Sequence, residues 1–177
     1  FGRMQHPRIV YDTERGPLAP GELAGRRVGV RSYSVTTGMW IRGILAEEYG
    51  VDCDRVTWVT FEEAHVAEFR DPPNVERAPA GKDLVGMLLA GEIDAAIVGD
   101  SVPSDPRLAP LIPDPGNAAD AWQRKWGAIQ INHMVAVRDS LPADTVHEVY
   151  RLLRESWHAA GDPATSPIGL DANRRNI

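Results

Sequence analysis

Hydroxyl side chains crowd one short stretch of this chain: Ser32, Tyr33, Ser34, Thr36 and Thr37 stand just before, and then inside, a helical pattern. At a helix start such hydroxyls accept hydrogen bonds from orphan backbone N–H groups. Those N–H groups and the helix dipole also favour a bound anion. Two readings follow for Ser34, Thr36 and Thr37. Either they only cap the helix, or they hold a carboxylate or phosphate. Arg31 at the preceding strand end and Arg42 a turn further into the helix are the cations able to form a bidentate pair with a carboxylate. For Arg42 the alternative is a surface or hinge salt bridge. Tyr33 either meets an aromatic ligand or packs. His133 is the acid/base candidate, because an ordinary imidazole titrates near neutrality; the alternative is a structural histidine. Asp100 follows an apolar strand, at the end where open α/β sheets bind ligands.

Glu62, His65 and Glu68 are spaced to share a helix face and would suit a divalent cation. With one histidine in a polar setting, the expected reading is a solvated acidic face and no metal.

The elements that must position these groups begin with Gly25–Gly50. Val28-Gly29-Val30 reads as a strand, and Trp40, Ile41, Ile44, Leu45 and Tyr49 recur at helical spacing until Gly50, a C-cap residue. Arg55–Phe61 is rich in β-branched and aromatic residues and reads as a second strand, giving a parallel crossover. Ile9, Val10 and Tyr11 suggest a short strand whose partner is reached late or lies elsewhere. Residues 62–82 read as a long surface loop. Lys82–Ala90 reads as a short helix, and Asp94–Val98 as a buried strand with Asp94 structural at its start. The prolines between 100 and 115 exclude a continuous helix or central strand. Asn117–Trp126 reads as a helix and Ile129–Val137 as a strand. A helix from Pro142 to about Ala160 carries the stripe Val146, Val149, Tyr150, Leu153 and Trp157. The expected organisation is a lead-in or hinge over 1–24, an α/β ligand-binding lobe over 25–138, and a C-terminal helix and frayed tail over 139–177.

Composition narrows the class. The 177 residues are 43% hydrophobic and 25% charged, ordinary globular values. A net charge of −6 argues against nucleic acid or an anionic membrane as main partner. The single cysteine, Cys53, excludes an intrachain disulfide and a Cys-based zinc site. No run approaches the roughly 18 apolar residues of a membrane span. No phosphate-binding glycine loop occurs, so no nucleotide cofactor is expected.

Three blocks, ELAGRRVGVRSYSVTTGMWIRGILAEEYGV, LLAGEIDAAIV and INHMVAVRDSL, resemble the 4,5-dihydroxyphthalate decarboxylase group of the type II periplasmic-binding-protein superfamily. Trp40-Ile41-Arg42-Gly43 after the hydroxyl turn, together with His133, points most narrowly to the decarboxylases. The resemblance implies a three-layer α/β/α lobe with a mostly parallel sheet, one of two lobes around a cleft. The missing first lobe of the same protein would then be a partner, as would a small aromatic or organic acid. The implied reaction is non-oxidative loss of carbon dioxide from a dihydroxyphthalate-like acid, without cofactor. Ser34, Thr36 and Thr37 would bind a carboxylate with Arg31 or Arg42, His133 would act as acid/base, and Tyr33 and Asp100 would face the cleft. A homo-oligomer remains open. Two rivals share the fold: a solute-binding protein serving a transporter, and a sensory ligand-binding domain. The chain starts at Phe1, so a segment is expected to precede it; the expected location is cytoplasmic, or periplasmic if that segment was a signal peptide.

Overall fold

The computed structural model describes residues 3–99, 104–128, 130–161 and 168–169. They fall into two compact units, Gln5–Lys125 and a second one made of Phe1–Met4 with Trp126–Ile177.

The larger unit is built on a six-stranded sheet: β1 (Ile9–Asp12), β2 (Arg27–Val30), β3 (Thr57–Thr60), β4 (Val75–Arg77), β5 (Ala95–Ile97) and β6 (Leu108–Pro110), in the order β4-β3-β2-β5-β1-β6. The β4–β3, β3–β2 and β2–β5 pairs are parallel, whereas β1 runs antiparallel to both β5 and β6. The expected α/β class and mostly parallel sheet are therefore present. The early strand finds late partners: Val10 pairs with Ala96 on one side and Pro110 on the other.

Helices α1 (Thr36–Tyr49) and α2 (Leu84–Leu89) cover opposite faces. Successive strand residues point to opposite sides. A Cβ placed on Gly29 would run into Leu84 of α2, while the next residue, Val30, touches Gly38 of α1. A larger residue at position 29 would have to displace the side-chain tips of Leu84 and Ile93. Below that face Val10, Val59, Met87, Leu88, Ile93 and Ala96 form one buried cluster. On the α1 side Ile41, Ile44 and Leu45 are almost fully buried, as the helical stripe predicts. Gly50 ends α1 in the left-handed conformation, φ 63°, and its N–H donates to Ala46 O.

Several expectations change. The N-cap position of α1 is Val35, which offers no side-chain cap, so none of Ser34, Thr36 and Thr37 occupies it. Two edge strands arise in stretches read as loop. In β4, Val75–Arg77 lies inside the 62–82 region, and β6 ends on Pro110, which an edge strand tolerates because one side of it needs no ladder donor. The third helix, α3, spans Pro115–Trp126, two residues longer than expected at its start, with Asp114 Oδ1 accepting from Asn117 N–H at 3.4 Å.

In the smaller unit α4 (Ala143–Ala159) forms, with Pro142 at its N-cap. The strand expected over Ile129–Val137 does not: among its described residues only Ile131 makes an isolated bridge, and Met134 and Val135 are 70% and 66% exposed. A strand is a pairing, and alternating side chains without a ladder partner do not make one. No helix among the described residues is long and apolar enough to cross a membrane.

Candidate functional site

Strand β2 delivers the chain to the carboxyl end of the sheet, where a turn over residues 31–35 leads into α1. Ser32 in that turn is only 1% exposed, and its Oγ lies 3.4 Å from Ser34 Oγ. The first turn of α1 presents backbone N–H groups beyond the helical ladder. The N-cap residue, Val35, has no side-chain oxygen to cap them.

Arg42 completes the arrangement. Helical side chains lean toward the N-terminus, and its guanidinium runs back along α1 until Nη1 lies 3.2 Å from where a Cβ on Gly38 would sit. Glycine at this buried first-turn position leaves that space to the cation. The guanidinium carbon lies 3.8 Å from the centroid of the Tyr33 ring and 5.5 Å from that of Trp58. Both are cation–π distances. Nη1 is buried without a hydrogen-bond partner. Burial lowers the guanidinium from its ordinary value, with Tyr33, Cys53 and Asp71 acting the other way. The group stays charged at any ordinary pH.

The aromatic surround comes from three elements. Trp58 on β3 is fully buried, meets Tyr33 edge-on at 6.2 Å, and donates from Nε1 to Cys53 O at 3.1 Å. Phe69, from the connection between β3 and β4, lies nearly parallel to Tyr33, at 25° and 6.4 Å. Such an arrangement holds a cation against flat rings and leaves one N–H direction unused. An anionic planar ligand fits that chemistry.

The structure thus brings Tyr33, Ser34, Thr36, Thr37 and Arg42 to one end of the larger unit. Arg31 is at the same strand end, but its side chain is exposed and its Nε lies 3.5 Å from Glu62 Oε2. Asp100 lies outside the described residues. His133 belongs to the smaller unit, exposed on an irregular segment. His65 and Glu68 lie in a loop, not on a helix, and no cluster of three metal-ligating side chains occurs among the described residues. Asp94 is structural: its Oδ2 accepts from Arg27 N–H at 2.9 Å and its Oδ1 from Arg26 Nη1 at 3.1 Å.

Sequence reasoning named Ser32 only as one hydroxyl of the turn, without a role, and passed over Phe69. Ser32 is legible only as part of the hydroxyl-rich turn that follows β2, and Phe69 is a lone apolar ring in a polar loop. A shallow depression lined by Tyr11, Asp12, Arg15, Arg26 and Asp94 lies at the other end of the sheet, by the amino ends of β2 and β5. Open α/β sheets seldom bind ligands there.

No family model matches the chain. It is similar to the 4,5-dihydroxyphthalate decarboxylase of Comamonas testosteroni, 30% identical over 155 residues that cover 77% of this chain and 45% of that protein. It is also similar to the 4,5-dihydroxyphthalate decarboxylase of Pseudomonas putida, 36% identical over 132 residues, 68% of this chain and 51% of that protein. The chain is therefore related to proteins of that name, and it spans about half the length of these curated relatives.

Proposed function

We propose that this chain forms part of a carboxy-lyase that removes carbon dioxide, without oxidation, from a dihydroxyphthalate-like aromatic acid. In this reading the larger unit is a lobe of the type II periplasmic-binding-protein kind and the acid binds in an inter-lobe cleft. The observation that carries the proposal is the convergence of the α1 N-terminus, the buried Nη1 of Arg42 and the ring of Tyr33. The names of the two relatives supply the ring and the carboxylates.

Adjacent carboxylates on one ring have separate fates. One stays, held by Arg42 and the first turn of α1, where two N–H directions match the two oxygens of a carboxylate. The other leaves. A base takes the proton of the hydroxyl para to it, and a proton is delivered to the ring carbon that bears it. The carbon–carbon bond then breaks, its electron pair returns to the ring, carbon dioxide departs, and the phenol oxygen regains its proton. We assign proton transfer to His133 on the chemistry of its imidazole.

The test is carbon dioxide release from 4,5-dihydroxyphthalate by the intact protein and two variants. His133→Ala should lower the rate by about 10²- to 10⁴-fold, the usual worth of a general acid or base. Arg42→Gln should raise KM about ten- to a hundredfold, since a hydrogen bond to a charged group is worth about 1.5–3 kcal/mol. Equal release by wild type and His133→Ala would keep the enzyme and remove His133 from its mechanism. Binding without any release would leave a solute-binding protein.

A further inference from the structure

Arg31, just after β2, and Arg42, reaching back along α1, meet partners of different chemistry. Arg31 is exposed, and its Nε lies 3.5 Å from Glu62 Oε2, so a carboxylate of the protein already takes part of its charge. Arg42 meets rings instead, its guanidinium carbon 3.8 Å from the Tyr33 centroid and 5.5 Å from that of Trp58. A carboxylate occupies N–H groups as it neutralises a guanidinium. A ring face attracts the cation through its quadrupole and leaves the N–H donors for another partner. Nη1 of Arg42 accordingly stays without a hydrogen-bond partner.

Tyr33 is itself held in place. Its ring meets Trp58 edge-on at 6.2 Å, and Trp58 is fully buried on β3 with its Nε1 donating to Cys53 O at 3.1 Å. An arginine side chain otherwise spreads over many rotamers, and a ligand must then freeze it. Gly38 opens the space into which the guanidinium folds, with Nη1 3.2 Å from where a Cβ would sit. The Tyr33 face is the surface onto which it folds.

We infer that Tyr33 is a positioning residue: its ring holds the Arg42 guanidinium in one orientation with the Nη1 donor uncommitted, and it acts on a bound carboxylate through Arg42 alone. On the proposed decarboxylase reading, on which this inference rests, that carboxylate is the one the substrate retains. The ring face carries the effect and the hydroxyl does not. Phenylalanine can therefore stand in for Tyr33, whereas leucine and methionine, which have no ring quadrupole, cannot.

The experiment is a double-variant cycle read by calorimetric titration of the intact protein with phthalate. Phthalate carries both carboxylates but no hydroxyl, so it does not react by the proposed route. The proteins are wild type, Tyr33→Leu, Tyr33→Met, Tyr33→Phe, Arg42→Gln, and Tyr33→Leu or Tyr33→Met combined with Arg42→Gln. Melting curves check that each is folded, and the methionine arm repeats the leucine arm with a more adaptable side chain. Tyr33→Leu and Tyr33→Met should weaken phthalate about two- to thirtyfold, the range of one cation–π contact, and Tyr33→Phe should restore most of that affinity. In the Arg42→Gln background the same changes at Tyr33 should weaken binding no further, because the cation they misplace is gone. An equal loss in both backgrounds overturns the inference, since a purely structural or ligand-stacking tyrosine behaves that way. A loss in Tyr33→Phe as large as in Tyr33→Leu overturns it too, because the hydroxyl would then carry the effect. Failure of wild type to bind phthalate does the same. Carbon dioxide release from 4,5-dihydroxyphthalate by wild type tests the decarboxylase reading separately. The expected cycle without release keeps Tyr33 in its role and removes the enzyme, and an additive cycle with release does the reverse.

Discussion

Arg42 buries part of a cation with no carboxylate at hydrogen-bond distance of its Nη1, an arrangement that normally costs stability unless a ligand completes it. His6 is another polar group treated this way. Its ring is 1% exposed, meets Trp122 edge-on at 6.1 Å, and has an Nδ1 without a hydrogen-bond partner. Burial pulls its pKa below the ordinary 6.5, only partly offset by Glu48, whose carboxylate also accepts from Lys125 Nζ at 3.0 Å. The sign follows directly. A depressed folded-state value means that the unfolded chain binds the proton first, so stability is intact above about 6.5 and declines as the pH falls through the window below it. His6→Gln, which stays neutral, should flatten the dependence of melting temperature on pH between about 7 and 5. An equally steep profile in that variant would show that other groups set the acid sensitivity.

At the scale of elements, Asn74 does the work of a clasp. Its Nδ2 donates to Cys53 O at 3.0 Å and Val56 O at 2.9 Å, and its own carbonyl accepts from Trp58 N–H at 2.9 Å. It thereby joins the chain entering β3 to the chain entering β4, and seats the loop that carries Phe69. Asn74→Ala should cost about 1–3 kcal/mol, several degrees of melting temperature, because it takes the amide donor from the carbonyl of buried Val56, whereas Cys53 O keeps the Trp58 indole N–H. An unchanged melting temperature would mean that water replaces the amide without loss. The residues around Asn74 explain why β4 was missed. Asp71-Pro72-Pro73-Asn74 reads as turn, and Val75-Glu76-Arg77 has too little alternation to signal a strand; only the β3 ladder makes it one. The opposite error occurred over Ile129–Val137, whose alternation is good and whose described residues find no ladder. By contrast α1 was legible throughout its length, since its stripe and its Gly50 stop are local signals.

For the whole molecule, the two units differ in how much core supports them. The larger one owns nearly all of the buried hydrophobic side chains, whereas α4 has no buried residue and exposes Tyr150, Leu152 and Leu153 at 48%, 51% and 38%. Helices owe most of their stability to packing. Amide hydrogen exchange should therefore be slow in β2, β5 and the centre of α1, and faster by orders of magnitude in α4. Comparable protection in α4 would show that something covers its apolar stripe in solution.

By itself the sequence determined the α/β class, the β2–α1–β3 crossover, the apolar stripe of α1 and the chemical types gathered at its start. These depend on periodicity and on single residues such as Gly50, which act over one or two turns of chain. Tertiary structure decided that Val35 rather than a hydroxyl residue occupies the cap. It also decided that the guanidinium of Arg42 folds back past Gly38 onto Tyr33, that Arg31 turns away to Glu62, and that Phe69 comes to lie beside Tyr33. Each of these depends on contacts between residues distant in the chain or on one rotamer chosen among several, and no local pattern encodes them.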